Sequence, residues 1–285
     1  MTTNVLCLRP EADFTRVDAP APASLSVTYR KPDDGDVSDL MKASDALIIP
    51  AVGPKLAPCL FQGSRIKLVQ VTGAGLDRLD REAMTKFGIP VANVAGGSNG
   101  ALAEYAVTTA SLLLRRFAWA DAEIKAGNYA AFRARMVSEN LAGIDGLLVG
   151  LVGFGTIGLA VAEAFHRMGC RVCYYDPAPR DPQAAKTMGA ESMALDDLLK
   201  AADVVSLHVP LIKETTGLIG ARELSLMKPS AVLVQASRGG VVDEAALAAH
   251  LAAGKIAGAA VDVYSTEPPT ADNPLLKLEG EGARR

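Results

Sequence analysis

The chain has 285 residues, of which 49% are hydrophobic, and its formal net charge at pH 7 is −3. This length allows two domains that each bury their own core. The small acidic charge argues against a nucleic-acid partner. No apolar stretch reaches about 18 residues, and residues 1–4 carry neither a basic leader nor a signal-type segment, so we expect no membrane partner and a cytoplasmic location.

The first hundred residues alternate short runs of β-forming residues with helical or turn-rich segments. This alternation is typical of a small parallel-sheet domain. We therefore predict a first α/β domain over residues 1–98 and a second over residues 99–285. The predicted strands of the first domain are residues 5–8, 26–29, 46–49, 68–71 and 90–94.

Apolar residues at helix-like spacing predict one long helix over residues 98–126, which ends at Gly127-Asn128 and links the domains. The following residues, 129–140, fit neither the helical nor the strand period well. We expect them to form either an exposed arm that contacts a second copy of the chain or a mobile loop.

A glycine motif follows the apolar run at residues 147–152: Gly153-Phe154-Gly155-Thr156-Ile157-Gly158. This order predicts a strand, a tight turn and a helix that starts near Thr156. Gly153 can adopt the turn's backbone angles, Gly155 lets a pyrophosphate approach the main chain, and Gly158 lets the helix pack closely on the strand. The free N–H groups of the helix start would face the phosphates. An ordinary glycine-rich turn is the alternative.

Asp176 ends the predicted strand at residues 171–175, eighteen residues after Gly158. A carboxylate at this position can accept hydrogen bonds from a ribose diol, and it repels a 2′-phosphate. The spacing therefore favours binding of NAD over NADP, and it favours a dinucleotide site over an ordinary turn. Later strands, at residues 203–207, 231–235 and 256–261, alternate with helices and predict a doubly wound parallel sheet covered on both faces.

The pair Cys170 and Cys173 has the spacing of a redox or zinc motif. One of its sulfurs is expected to pack as a small hydrophobic group, because the pair runs into the strand that carries Asp176. No second ligand pair of suitable spacing exists, so we expect no metal site.

Ligands of open α/β sheets bind beyond the carboxyl ends of the strands. In the first domain, Thr72-Gly73-Ala74-Gly75 follows a predicted strand. In the second domain, three strands are followed by polar or glycine-rich segments: His208-Val209-Pro210 with Thr215, Ala236-Ser237-Arg238-Gly239-Gly240, and Asp262 with Glu267-Pro268-Pro269.

Taken together, these motifs resemble the NAD-dependent D-2-hydroxyacid dehydrogenases, which include phosphoglycerate dehydrogenases and glyoxylate or hydroxypyruvate reductases. The resemblance covers nearly all of the chain. It implies two Rossmann-like or flavodoxin-like α/β domains with a cleft between them, a substrate domain followed by an NAD-binding domain, and a homodimer. The matching pieces are Gly73-Ala74-Gly75-Leu76-Asp77, Asn99 with Ala103-Glu104, the glycine motif, Ser206-Leu207-His208-Val209-Pro210-Leu211, Ser237-Arg238-Gly239-Gly240-Val241-Val242-Asp243, and Asp262-Val263-Tyr264 leading to Glu267-Pro268.

The resemblance also implies roles for the substrate side of the site. The planar fork of Arg238 would hold the substrate's carboxylate and keto oxygen, the alternative being a surface salt bridge. The amides of Gly73-Ala74-Gly75 would bind the same carboxylate, unless this segment is a plain turn. Thr72 and Asn99 are expected beside them. Glu267 would orient a catalytic histidine and raise its proton affinity, the alternative being a solvated acid.

On the cofactor side, the resemblance places Asp262 opposite the nicotinamide end of NAD. His208 is assigned to the cofactor pocket, although an acid/base role is the alternative for a histidine at a strand end. The other residues expected to line the nucleotide cleft are Val209, Pro210, Thr215, Ala236 and Ser237.

One departure from the family pattern concerns the acid/base histidine, which the family carries in a Thr-Pro-His type sequence after a further strand. Asn273-Pro274-Leu275-Leu276 matches the preceding segment, but residues 279–285 contain neither this histidine nor the last helix that returns to the first domain. We expect the full gene product to continue to this motif. A truly short product without a positioned proton donor is the alternative.

The predicted function is the reversible transfer of a hydride between NAD and a small 2-hydroxy or 2-keto acid. Two alternatives remain: an NAD(H)-binding sensor that resembles transcriptional corepressors, and a formate- or phosphite-type dehydrogenase. No basic cluster in the sequence near residues 72–75 or Arg238 indicates a phosphorylated substrate.

Overall fold

The computed structural model describes residues 2–94, 96–139, 141, 143–180 and 182–285. The chain divides into two compact units, Met1–Gly97 and Ser98–Arg285. Each unit is built on a parallel sheet, which confirms the predicted α/β class. Within the described ranges, no helix is long and apolar enough to cross a bilayer.

The first unit has a parallel sheet with the strand order β2-β1-β3-β4-β5. The order reverses between β1 and β3, and such a switch point is where ligands enter open α/β sheets. Leu6, Leu47, Ile49 and Val69 are completely buried, because these strands are covered on both faces. The elements of this unit are β1 (Thr3–Cys7), α1 (Glu11–Thr15), β2 (Leu25–Tyr29), α2 (Val37–Ala43), β3 (Ala46–Ile49), a 3₁₀ turn (Pro58–Phe61), β4 (Leu68–Val71), α3 (Arg81–Phe87) and β5 (Val91–Ala92).

The second unit has a larger parallel sheet with the order β11-β10-β9-β6-β7-β8. This is the doubly wound topology that the sequence predicted, with the switch point between β6 and β9. The elements are α4 (Asn99–Leu114), α5 (Phe117–Lys125), α6 (Tyr129–Ser138), β6 (Leu148–Val152), α7 (Thr156–Arg167), β7 (Arg171–Tyr175), α8 (Pro182–Thr187), β8 (Glu191–Ser192), α9 (Leu195–Ala201), β9 (Val204–Leu207), α10 (Ala221–Leu226), β10 (Val232–Gln235), α11 (Glu244–Ala252), β11 (Gly258–Val261) and a 3₁₀ turn (Gly282–Arg284).

The prediction of one long helix over residues 98–126 was wrong. The helix ends at Leu114, and α5 begins at Phe117 after Arg116, which adopts the left-handed conformation with φ 48°. The guanidinium of Arg116 lies 2.7 Å from the carboxylate of Glu139 and 5.1 Å from the ring centre of Trp119. The helix breaks where these tertiary contacts form, and no glycine or proline in the sequence marks the break.

Residues 129–138 are helical, so the prediction of a mobile loop was wrong, whereas the contact of this segment with a second copy of the chain stays a prediction. Phe132 on α6 is buried and packs edge-on against Trp119, with ring centres 6.0 Å apart. Arg135 covers the same indole at 4.1 Å. The segment is helical because this packing stabilises it despite a weak periodic pattern. Asn140, the last residue of the predicted arm, lies outside the described residues.

Candidate functional site

The glycine motif forms a tight turn between β6 and α7. Gly153 has φ 97°, and a Cβ atom there would lie 2.5 Å from the backbone oxygen of His208. A Cβ atom at Gly158 would overlap the backbone oxygen of Gly153. Around Gly155, by contrast, a Cβ atom would meet nothing within 4 Å. The two outer glycines therefore permit close backbone packing, and the middle one leaves open space at the start of α7.

Four consecutive backbone amides at this helix start have no acceptor in the described part of the chain. They belong to Gly155, Thr156, Ile157 and Gly158, and the first intrahelical bond of this turn is donated by Leu159. The Asn99 side chain donates to the backbone oxygen of Thr156 at 3.4 Å, which ties α4 to this turn. Unpaired amides at the start of a twelve-residue helix form an anion-binding site.

Asp176 lies directly beside this turn. Its Oδ2 atom accepts a hydrogen bond from the backbone N–H of Phe154 at 2.8 Å, and Oδ1 accepts one from Ala178 at 2.9 Å. Arg180 donates from Nε to Oδ2 at 2.7 Å. Burial of the carboxylate opposes its ionisation, but the Arg180 and amide hydrogen bonds outweigh it, so the pKa of Asp176 lies below its ordinary value.

His208 lies next to the same turn, at the carboxyl end of β9. Its backbone N–H donates to the oxygen of Val152 at 2.7 Å, and its Nε2 atom pairs with the hydroxyl of Ser206 at 2.9 Å. Burial lowers the pKa of His208 to about 4. The imidazole is therefore neutral at neutral pH, which fits a residue that supports the turn rather than one that carries a proton.

We expect this buried imidazole to make the stability of the chain depend on pH. Between its ordinary pKa of 6.5 and about 4, the unfolded chain binds a proton that the folded chain excludes. The free energy of unfolding should therefore fall as the pH falls through this range, by at most about 1.4 kcal/mol per pH unit. Urea unfolding at several pH values should show that His208→Asn removes this part of the slope; an identical slope in both proteins would contradict the assignment.

The loop after β9 is fixed by Thr215. The hydroxyl of Thr215 donates to the backbone oxygen of Pro210 at 2.6 Å and accepts from the N–H of Ile212 at 2.9 Å. Val209 is buried, whereas Ile212 is half exposed. Thr215 thus fixes the backbone of the loop that we predict to line the nucleotide cleft.

The turn that carries Arg238 is held by Gln235, the last residue of β10. The Oε1 atom of Gln235 accepts from the Ser237 hydroxyl at 2.7 Å, and Nε2 donates to the backbone oxygen of Arg238 at 2.8 Å. Arg238 donates from Nη1 to the oxygen of Ser237 at 2.7 Å. Ala236 and Ser237 are both buried, so the arginine starts from a rigid turn.

The next residue, Gly239, packs against the loop that carries Glu267. A Cβ atom at Gly239 would overlap the backbone oxygen of Tyr264. The Oε1 atom of Glu267 accepts from the N–H of Tyr264 at 3.0 Å, and Asp262 donates its N–H to the oxygen of Gln235 at 2.9 Å. The structure therefore places the turns of Arg238, Asp262 and Glu267 side by side at the carboxyl edge of the second sheet.

In the first unit, two carbonyl groups of the segment after β4 accept hydrogen bonds. The oxygen of Gly73 accepts from Val94, and that of Ala74 accepts from the Asn93 side chain at 2.8 Å. Within the described ranges, the amides of Gly73, Ala74 and Gly75 donate no hydrogen bond. This arrangement suits an anion such as a carboxylate.

A family model described as the D-isomer specific 2-hydroxyacid dehydrogenase, NAD binding domain, matches residues 107–280. The chain belongs to the D-isomer-specific 2-hydroxyacid dehydrogenase family. It is 36% identical over 235 residues to the D-3-phosphoglycerate dehydrogenase of Archaeoglobus fulgidus, covering 82% of this chain and 44% of that one. The glyoxylate reductase of Thermococcus litoralis is also 36% identical, over 241 residues, covering 84% of this chain and 72% of that one.

Solved structures of family members have the same fold. The apo form of D-mandelate dehydrogenase from Rhodotorula graminis aligns with a TM-score of 0.79 and 25% identity, over 98% of this chain and 86% of that one. The chain spans less than half the length of the phosphoglycerate dehydrogenase above. These comparisons confirm the family resemblance and NAD as the cofactor.

The second unit, which contains the matched NAD-binding domain, has residues that fit this cofactor. The unpaired amides of residues 155–158 would hold the pyrophosphate, and the open space at Gly155 leaves room for it to approach. Asp176, connected to the turn through the N–H of Phe154, would hold the adenosine ribose. The cofactor supplies or accepts a hydride.

Sequence reasoning missed three residues whose side chains hold strand ends or loops within the two units, namely Arg9, Arg78 and Glu244. Arg9 follows β1 and donates to the Thr72 hydroxyl at 3.1 Å, because the first sheet's topology brings these strand ends together. Arg78 is almost completely buried and donates to the oxygens of Pro54 and Pro50, which fixes the loop after β3. The carboxylate of Glu244 accepts hydrogen bonds from the N–H of Ser265 and from the side-chain amide of Asn273. No local pattern identifies these contacts, although an arginine directly after a strand, as Arg9 is, could have been noticed.

Proposed function

We propose that this chain interconverts a small 2-hydroxy acid and the corresponding 2-keto acid, with NAD(H) as hydride carrier. Residues 1–98 form the substrate domain in this proposal, and residues 99–285 form the NAD-binding domain. The observation that carries the proposal is the contact of Gly239 with Tyr264, which joins the Arg238 turn to the Glu267 loop. Both lie at the sheet edge where the dinucleotide turn also lies.

Arg238 binds the substrate's carboxylate and polarises its keto oxygen, since its fork of donors matches two oxygens and stays charged. The amides of Gly73, Ala74 and Gly75, with Thr72, offer further donors for a carboxylate. Asp262 faces the nicotinamide end of the cofactor. The residues that line the nucleotide cleft are Val209, Pro210, Thr215, Ala236 and Ser237. Glu267 orients a proton-donating histidine and raises its proton affinity.

The substrate class is tested by following NADH absorbance with the protein and glyoxylate, hydroxypyruvate or phosphohydroxypyruvate. We expect oxidation of NADH with at least one of the first two acids. If NADH binds but none of the three acids oxidises it, the proposal fails in favour of a nucleotide sensor. Reduction of NAD by formate or phosphite alone would instead indicate the other dehydrogenase chemistry.

We further propose a cytoplasmic homodimer that forms through α5 and α6. The support is a set of large apolar side chains that these helices leave more than half exposed, namely Phe117, Tyr129 and Val137. Light scattering after gel filtration should give twice the mass of the chain, and Phe117→Glu should lower it to a single copy. A monomeric wild-type protein would refute the dimer, and recovery in a membrane or periplasmic fraction would refute the location.

A further inference from the structure

The ion pair between Asp176 and Arg180 lies at the ribose end of the dinucleotide site. The Asp176 side chain is only 4% exposed, whereas that of Arg180 is 34% exposed. The guanidinium therefore stands between the carboxylate and solvent. The sequence predicted that this acid repels a 2′-phosphate, and the structure places a cation 2.7 Å from it.

The carboxylate of Asp176 already accepts most of the hydrogen bonds that it can accept. A carboxylate accepts about four hydrogen bonds, and three donors already use it: the amides of Phe154 and Ala178 and the Nε atom of Arg180. A ribose diol would bring two further donors. The two amides belong to the backbone of the turn and the following loop, so Arg180 is the donor that can move aside. Arg180 therefore competes with the diol of NAD for Asp176.

The same guanidinium reduces the repulsion that Asp176 would exert on a phosphate at the 2′ oxygen. A guanidinium next to the carboxylate that accepts the 2′ hydroxyl is within reach of a phosphate attached there, and it can bind phosphate through two parallel hydrogen bonds. We propose that Arg180 makes this ribose subsite accept a 2′-phosphate, so that the chain binds NADP(H) in addition to NAD(H). The proposal depends on the dinucleotide site and not on the reaction assigned to it.

The test is calorimetric titration of the protein with ADP-ribose and with 2′-phospho-ADP-ribose, neither of which requires catalysis. For the wild-type protein we expect dissociation constants within about tenfold of each other. Arg180→Met should weaken binding of the phosphorylated ligand at least tenfold, because the phosphate loses a charge-assisted donor. It should leave ADP-ribose unchanged or tighten it severalfold, because the carboxylate is released for the diol.

Two further variants sharpen the test. Asp176→Asn should shift the two affinities in the opposite directions, weakening ADP-ribose and tightening its 2′-phosphate. Arg167→Met is the matched control, since Arg167 is an exposed arginine at the end of α7 that pairs with Glu163; it should change neither affinity. An equal loss of both ligands in Arg180→Met would overturn the proposal, as would a wild-type protein that does not bind 2′-phospho-ADP-ribose.

Discussion

Replacing Arg238 with alanine is expected to lower kcat/KM for the 2-keto acid by about 10²- to 10³-fold while leaving the Kd for NADH within twofold. The guanidinium is the group in the second unit that we assign to both the carboxylate and the keto oxygen. Its loss removes interactions with the substrate that strengthen as negative charge develops on the keto oxygen. NADH absorbance measures the turnover, and NADH fluorescence measures the cofactor affinity.

Two variants separate this role from a general loss of positive charge. Arg238→Lys keeps the charge but lacks the planar fork, so it should recover only part of the lost rate. Arg222→Ala removes an exposed arginine that pairs with Asp196, and it should leave both constants unchanged. Because the Arg238 turn is also held by Gln235, the variants should unfold at similar urea concentrations. An Arg238→Ala protein with the wild-type rate would eliminate Arg238 as the substrate's anchor.

The sequence predicted the parts of the site in which a backbone requirement selects one residue type. Gly153 has the positive φ expected of the turn, and Gly158 allows the close approach of α7 to the strand. The doubly wound parallel sheet of the second unit also followed from the alternation of apolar strands and helices. Such features are local or periodic, and each leaves a direct trace in the amino-acid pattern.

The side-chain contacts around these motifs could not be predicted from local sequence patterns. Arg180 reaches Asp176 within one loop, but an arginine four residues after an acid has no pattern that distinguishes an ion pair from a solvated side chain. Arg9 meets Thr72 across 63 positions of sequence, and only the strand order of the first sheet brings them together. The break at Arg116 depends likewise on Glu139 and Trp119. In each case the contact depends on the side-chain geometry of the folded chain, which the local sequence pattern does not reveal.

The two glycines Gly155 and Gly158 should respond to the same substitution in different ways. In Gly158→Ala, the new methyl group overlaps the backbone oxygen of Gly153, so α7 must move away from the turn. We expect a loss of about 1–3 kcal/mol in the free energy of unfolding, together with loss of ADP binding. In Gly155→Ala, the methyl group enters open space, so the stability should stay near that of the wild type.

Gly155→Ala should nevertheless weaken ADP binding at least tenfold, because its methyl group occupies the space through which the diphosphate reaches the amides of residues 155–158. Urea unfolding and calorimetric titration with ADP measure the two effects separately. Gly143→Ala is a suitable control, since Gly143 also faces open space but lies before β6 and away from the turn. If Gly155→Ala binds ADP as the wild type does, the diphosphate does not contact this helix start, and the position of the ribose at Asp176 loses its support as well.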